Sequence, residues 1–212
     1  CGWGRGGGSR KEGQGPQHLL FIIWGTGIGG GLVLGGRLYQ GSGGMAGEVG
    51  HLVLDPEGPP CRCGGRGCWE VLASGTAMAR RAEALARQVR SGPLWELVGR
   101  KKEAVTAQRV VEADAMGDPV ARQVVEETAR YMGAGLAALR NALDPEIIIL
   151  GGGVSGSLHR FFPLLRQAAR RHAIAAHKDT FPLVPSLLGD QAGLLGAAAQ
   201  AWALVGKGER SR

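Results

Sequence analysis

Between Glu48 and Glu70 the chain carries one histidine and three cysteines, His51, Cys61, Cys63 and Cys68, in the pattern H-x9-C-x-C-x4-C. Four ligands converging on one ion dictate the path of the loop that holds them. One imidazole with three thiolates is a closed tetrahedral set for Zn²⁺, and soft sulfur selects zinc over a hard cation such as Mg²⁺. Gly64, Gly65 and Gly67 sit among the cysteines, where a tight loop calls for positive φ and backbone close to sulfur. Pro59 and Pro60 stiffen the approach. The competing readings are a disulfide or plain reduced thiols. Cys61 and Cys63 stand too close in sequence for an unstrained bridge, and a Cys63–Cys68 bridge leaves His51 without a role. Structural zinc on these four residues is the expectation.

A second feature is the glycine turn GTGIGGG at 25–31. It matches G-x-G-x-x-G formally, but a dinucleotide site needs a helix directly after the glycines. Here LVL (32–34), Gly35-Gly36 and RLY (37–39) read as strand, tight turn and strand. A Walker A loop is excluded because no Lys-Ser or Lys-Thr pair follows. Two readings remain: a plain glycine hairpin, or one whose bare amides and Thr26 hydroxyl surround an anion.

Around these features the chain alternates strands and helices, which indicates an α/β domain with a mixed sheet. HLLFIIW (18–24) and EIIIL (146–150) are apolar runs of buried-strand length, HLVLDP (51–56) is a shorter strand, and another lies near FPLVPSLL. Ser74 or Thr76 caps a helix through AMARRAEALARQV, which SGPLW (91–95) breaks. Thr106 caps a short helix that Gly117 ends. Asp118-Pro119 opens a long one, with Val120, Val124, Met132, Leu136, Leu139 and Leu143 on its buried face. Gly133 and Gly135 inside it predict close packing, and Asp144-Pro145 ends it. Helices over 157–172 and 191–205 complete the pattern. Residues 1–17, with seven glycines, read as a disordered or unrelated tail, and 206–212 as a flexible one.

The net charge of +7 comes from arginines clustered at 80–90 and 160–171. Without interleaved aromatics these clusters read as solvated helix faces, not as a nucleic-acid surface. No apolar run approaches the roughly 20 residues of a membrane span, and no signal peptide is visible. Clustered cysteines with metal spacing suit the cytoplasm. A chain opening on Cys1 reads as a fragment or a processed product.

GTGIGGG at 25–31, GEVGH at 47–51, CRCGGRGCWE at 61–70 and LGDQAGLLGAA at 188–198 together resemble the ROK family of sugar kinases and sugar-responsive repressors. The resemblance covers about residues 18–205, with the zinc loop 51–70 its most specific part. It implies the C-terminal lobe of an actin-like, hexokinase-like (ribonuclease H-like) ATPase fold. The parent activity it implies is ATP- and Mg²⁺-dependent phosphorylation of a hexose or N-acetylhexosamine, in a homodimer. Gly25, Thr26, Gly27, Gly29, Gly151, Gly152 and Gly153 then face the nucleotide. The free nitrogen of His51, with Glu48 and Glu70, then hydrogen-bonds the sugar, or the two acids remain surface carboxylates. ROK kinases also resemble one another in a D-x-G-x-T hairpin and a catalytic Asp, both ahead of the glycine turn. Neither is found here, so no catalytic residue is assigned. The alternative parent is a ROK transcriptional repressor, which adds nucleic acid as a partner. A third is a zinc-stapled interaction module without a sugar role.

Overall fold

The apolar run ahead of the glycine turn forms β1 (Leu19–Trp24), with Leu20, Ile22 and Trp24 buried in the core. The chain reverses over Gly25–Gly27 into β2 (Ile28–Leu34), then over Gly35-Gly36 into β3 (Arg37–Tyr39). Gly35 and Gly36 take φ of 59° and 74°, a left-handed turn that glycine adopts without steric cost. β4 (Ile147–Gly151) lies parallel to β1, with Leu19 opposite Ile147, and β5 (Leu183–Pro185) lies parallel to β4. The resulting order is β3-β2-β1-β4-β5, antiparallel on one side of β1 and parallel on the other. This is the expected mixed sheet. The computed structural model describes residues 15–97, 105–153, 158–188 and 196.

Residues of the helices join Leu20, Ile22 and Trp24 in one buried core. The helices are α1 (Trp69–Ala73), α2 (Gly75–Val89), α3 (Pro93–Trp95), α4 (Ala107–Ala115), α5 (Pro119–Leu143) and α6 (Leu158–His172). Ser74, of the two candidate caps, is the one used: its Oγ accepts the Ala77 amide at 3.2 Å. Thr106 accepts from Arg109 N–H at 3.3 Å, and Asp118 accepts from Ala121 N–H at 2.8 Å, each at the helix start expected. α5 is the spine of the helical layer and packs on α1, α2, α4 and α6. Its two inner glycines do allow close packing. Gly133 lies against Ala168 of α6, and Gly135 receives the indole of Trp69 with no room for a Cβ.

Two local expectations are corrected. HLVLDP is not a strand: Val49–His51 is a 3-10 turn, and only Val53 makes an isolated bridge, to Cys68. The amides of Leu54 and Asp55 turn to the Gly67 carbonyl, so this segment closes the metal loop instead of joining a sheet. SGPLW follows the end of α2 as expected, and its Pro93 opens the short α3. The arginine clusters are only partly solvated. Arg81 donates to Leu72 O and Thr128 Oγ1 and pairs with Glu127, and its pKa is lowered by burial. Arg160 ties α6 to the buried Asp114 of α4 at 2.6 Å. These charges hold helices together.

Among the described residues no helix is long and apolar enough to cross a membrane. The tail readings for 1–14 and 206–212, the helix over 191–205 and most of the LGDQAGLLGAA motif lie outside the described residues.

Asp118 carries two elements at once. Nearly fully buried, it caps α5 and accepts the Leu94 amide of α3 at 2.8 Å. Asp118→Ala removes a cap and strands a buried amide, which should lower stability by about 2–4 kcal/mol. Asp118→Asn should recover part of that loss. Urea unfolding midpoints check both.

Candidate functional site

The metal loop folds back on itself before it meets the helices. Cys61 N–H donates to Gly65 O at 2.8 Å, Gly64 N–H to Cys61 O at 3.1 Å and Gly67 N–H to Pro59 O at 2.8 Å. Gly64 and Gly67 have φ of 94° and 60°, as a tight loop among cysteines demands. Trp69 N–H then donates to Leu52 O at 2.7 Å and brings the end of the loop beside His51.

These turns gather His51, Cys61, Cys63 and Cys68 so that one ligand atom from each lies within 4.8 Å of the others. His51 Nδ1 stands 3.6 Å from Cys61 Sγ, and Cys63 Sγ stands 3.6 Å from Cys68 Sγ. A tetrahedral zinc with standard bond lengths sets neighbouring ligands about 3.6–3.8 Å apart, so the donor set fits the ion in spacing as well as chemistry. A disulfide does not describe the loop, since all three cysteines are free and the sulfurs stand well beyond bonding distance.

The protein treats the thiols unequally. Cys63 is pulled down to about 7, chiefly by the Gly65 amide and then by Cys61 and Cys68. Cys68 is pushed up to about 12, chiefly by burial. Zinc competes with protons at these sulfurs, so its affinity falls as the pH drops.

The opposite side of His51 faces the candidate sugar acids. Its Nε2 lies 3.9 Å from Glu48 Oε2, so Nδ1 turns to the sulfurs and Nε2 to an exposed carboxylate. Glu70 stands apart from this pair. Its Oε2 accepts the Ile28 amide at 3.0 Å, directly after the glycine turn. A Cβ at Gly27 would collide with that carboxylate, and one at Gly50 would strike the Ile28 carbonyl. GTGIGGG and GEVGH are therefore glycine-rich partly because they lie against each other.

The glycine turn is braced from its other end by α2, whose Gly75 N–H donates to Gly25 O at 2.7 Å. Because β1 and β4 are parallel, the two glycine turns leave the sheet side by side, with Gly25 close to Gly153. They open into a cleft of about 590 Å³ lined by Gly25, Thr26, Gly153, Thr76, Thr106 and Val111, among others. Of the glycines assigned to the nucleotide from sequence, Gly25 and Gly153 line this cleft, together with Thr26. Gly27 instead faces Glu70, and Gly29 pairs with Ile23 on the sheet. Gly151 ends β4 beside Phe21, and Gly152, at φ 104°, lies against the backbone of Trp24. Thr76 and Thr106 were legible only as possible helix caps. Tertiary packing makes them cleft walls.

Comparison with known proteins places this geometry. The ROK family model matches residues 9–203. The chain belongs to the ROK family. A glucokinase of Halalkalibacterium halodurans is 38% identical over 188 residues, covering 88% of this chain and 57% of that protein. The crystal structure of a ROK family glucokinase from Streptomyces griseus, in complex with glucose and AMPPNP, superposes with a TM-score of 0.79 at 38% identity. That match covers 89% of this chain and 61% of the other. A ROK transcriptional regulator homologous to the Escherichia coli MLC protein matches with a TM-score of 0.68 at 32% identity, over 80% of this chain and 41% of its own. The fold is that of ROK sugar kinases, and the chain spans less than two thirds of the length of each of these relatives.

Purified chain should carry about one zinc ion, and Cys68→Ser should lose it, while a change at Cys1 should not. Chelation should speed amide exchange across 55–70 and leave α5 protected. Elemental analysis and hydrogen exchange check the two outcomes.

Proposed function

We propose that the chain is the C-terminal lobe of a ROK sugar kinase. Its parent would transfer phosphate from ATP to a hexose or N-acetylhexosamine. The observation that carries this reading is the contact between the acid-bearing metal loop and the glycine turn that opens the nucleotide-sized cleft. Two substrates must meet at such a junction. On one side Glu48, His51 Nε2 and Glu70 offer polar groups suited to a ring of hydroxyls. On the other, Val111 and the helix starts at Thr76 and Thr106 suit a purine, while Thr26 and bare glycine amides suit phosphate.

His51, Cys61, Cys63 and Cys68 would hold the zinc, which contributes structure and not a reaction step. With Nδ1 committed to the ion, the His51 ring has one tautomer and a fixed direction for Nε2. Thiolate ligands of this kind persist in a reducing compartment, consistent with action in the cytoplasm.

Among the described residues none that lines the cleft is a carboxylate. Phosphoryl transfer needs a base for the sugar hydroxyl and a closed, water-excluding cleft. We therefore place the base in the part of the kinase that this chain does not span.

The second reading, the effector domain of a ROK repressor, is favoured by the match to the transcriptional regulator. The two separate on nucleotide binding. A kinase lobe takes Mg-AMPPNP in the cleft, whereas a repressor domain has use for the sugar alone.

Two outcomes test the reading. The 212-residue chain with Mg-ATP should phosphorylate glucose, N-acetylglucosamine and N-acetylmannosamine only near background, because a missing base alone costs about 10²–10⁴-fold. Fusion to the N-terminal half of a ROK kinase should restore ADP release in a coupled assay. In that fusion, Cys61→Ser should weaken sugar binding by about 10–100-fold through His51, although Cys61 meets no ligand. Unchanged sugar affinity after verified zinc loss would remove the metal from the sugar site.

A further inference from the structure

Glu70 stands where the metal loop, the candidate sugar face and the glycine turn meet. It is the second residue of α1, two residues after the ligand Cys68, and Trp69, between them, is fully buried. Its carboxylate is divided. Oε2 accepts the Ile28 amide at 3.0 Å, while Oε1 has no protein partner among the described residues. The glycine turn is otherwise held by the β1–β2 ladder that flanks it, with Trp24 opposite Ile28, and by the GEVGH segment packed against it. At its tip the backbone bonds are Gly25 N–H to Gly27 O at 3.0 Å and the Gly75 amide on Gly25 O, so Glu70 is the one side chain among the described residues that bonds a tip amide.

We propose that Glu70 is a positioning residue for the nucleotide, acting through the glycine turn that it grips by the Ile28 amide. This rests on the kinase reading above. One oxygen fixes the turn that meets the phosphates, and the other is left for a sugar hydroxyl, so the two substrate sites share one carboxylate. The chain shapes the turn for this contact, since any side chain at position 27 would displace the acid. Ordering Glu70 by a bound sugar orders the turn that receives the nucleotide. Loss of zinc, by freeing the helix start after Cys68, slackens it.

The test uses the 212-residue chain with zinc content verified. Amide exchange at Ile28 is followed by NMR, and Mg-AMPPNP affinity by calorimetry. Glu70→Ala should speed Ile28 exchange and weaken AMPPNP by about 10-fold, the usual consequence of losing one hydrogen bond to a charged group. Glu70→Gln keeps a carbonyl for Ile28 and should bring both back to within about 2-fold of the parent. It turns an NH₂ toward the sugar, so glucose affinity should stay impaired. Gly27→Ala should reproduce the Glu70→Ala exchange at Ile28 with the acid still present. A merely structural acid would give equal losses in both substrates and no rescue by Gln. Ile28 exchange or AMPPNP affinity unchanged in Glu70→Ala overturns the proposal. If the parent chain binds no AMPPNP, the kinase reading of the cleft fails, and Ile28 exchange still decides whether Glu70 grips the turn.

Discussion

The indole of Trp69 is seated in the notch that Gly135 leaves on α5, and the site takes its position from that contact. A loop built from glycine, proline and cysteine has little apolar surface of its own to bury. Trp69 supplies it, fully buried between the metal loop and the longest helix. A large aromatic of this kind is a strong anchor in a core. Cys68 on one side of it belongs to the metal cluster, and Glu70 on the other reaches the glycine turn. The helix that carries Gly135 is in turn fixed by its own cap at Asp118 and by packing along α6. Metal loop, anchor and scaffold form one mechanical chain.

Much of this was legible in the residues because local chemistry decided it. The spacing of His51 and the three cysteines forced a common point, and four ligand atoms do converge there. Gly35-Gly36 and Asp118-Pro119 act within a few residues of themselves, and both turned or started the chain where the sequence placed them. The long helix announced its buried stripe through apolar spacing alone.

What was not legible depended on partners distant in sequence. HLVLDP has the short apolar run of a strand, but a strand needs a neighbour, and the amides of Leu54 and Asp55 go to the Gly67 carbonyl instead. Arg160 has the composition of a surface residue, and only the fold brings Asp114 beneath it. The glycine-rich motif was read as a ligand surface. Two of its glycines also carry packing that the pattern did not reveal, Gly27 beside a carboxylate and Gly29 on the sheet. Short-range pattern shows that a residue must be small, but not what approaches it.

The parallel register of β1 with β4 has a kinetic side. Gly25 and Gly153 become neighbours only when Trp24 and Ile147 belong to one sheet, and the whole helical layer through α5 lies between them in the chain. Such non-local pairing is slow, because closing a long loop must precede any reward for it. During synthesis the β1–β2–β3 meander and all four residues of the metal cluster emerge before β4. The cleft waits for the ribosome to release β4. A nascent chain can therefore gather its four metal-capable side chains well before its cleft exists, and until then the edge of β1 that β4 will cover is open to wrong partners.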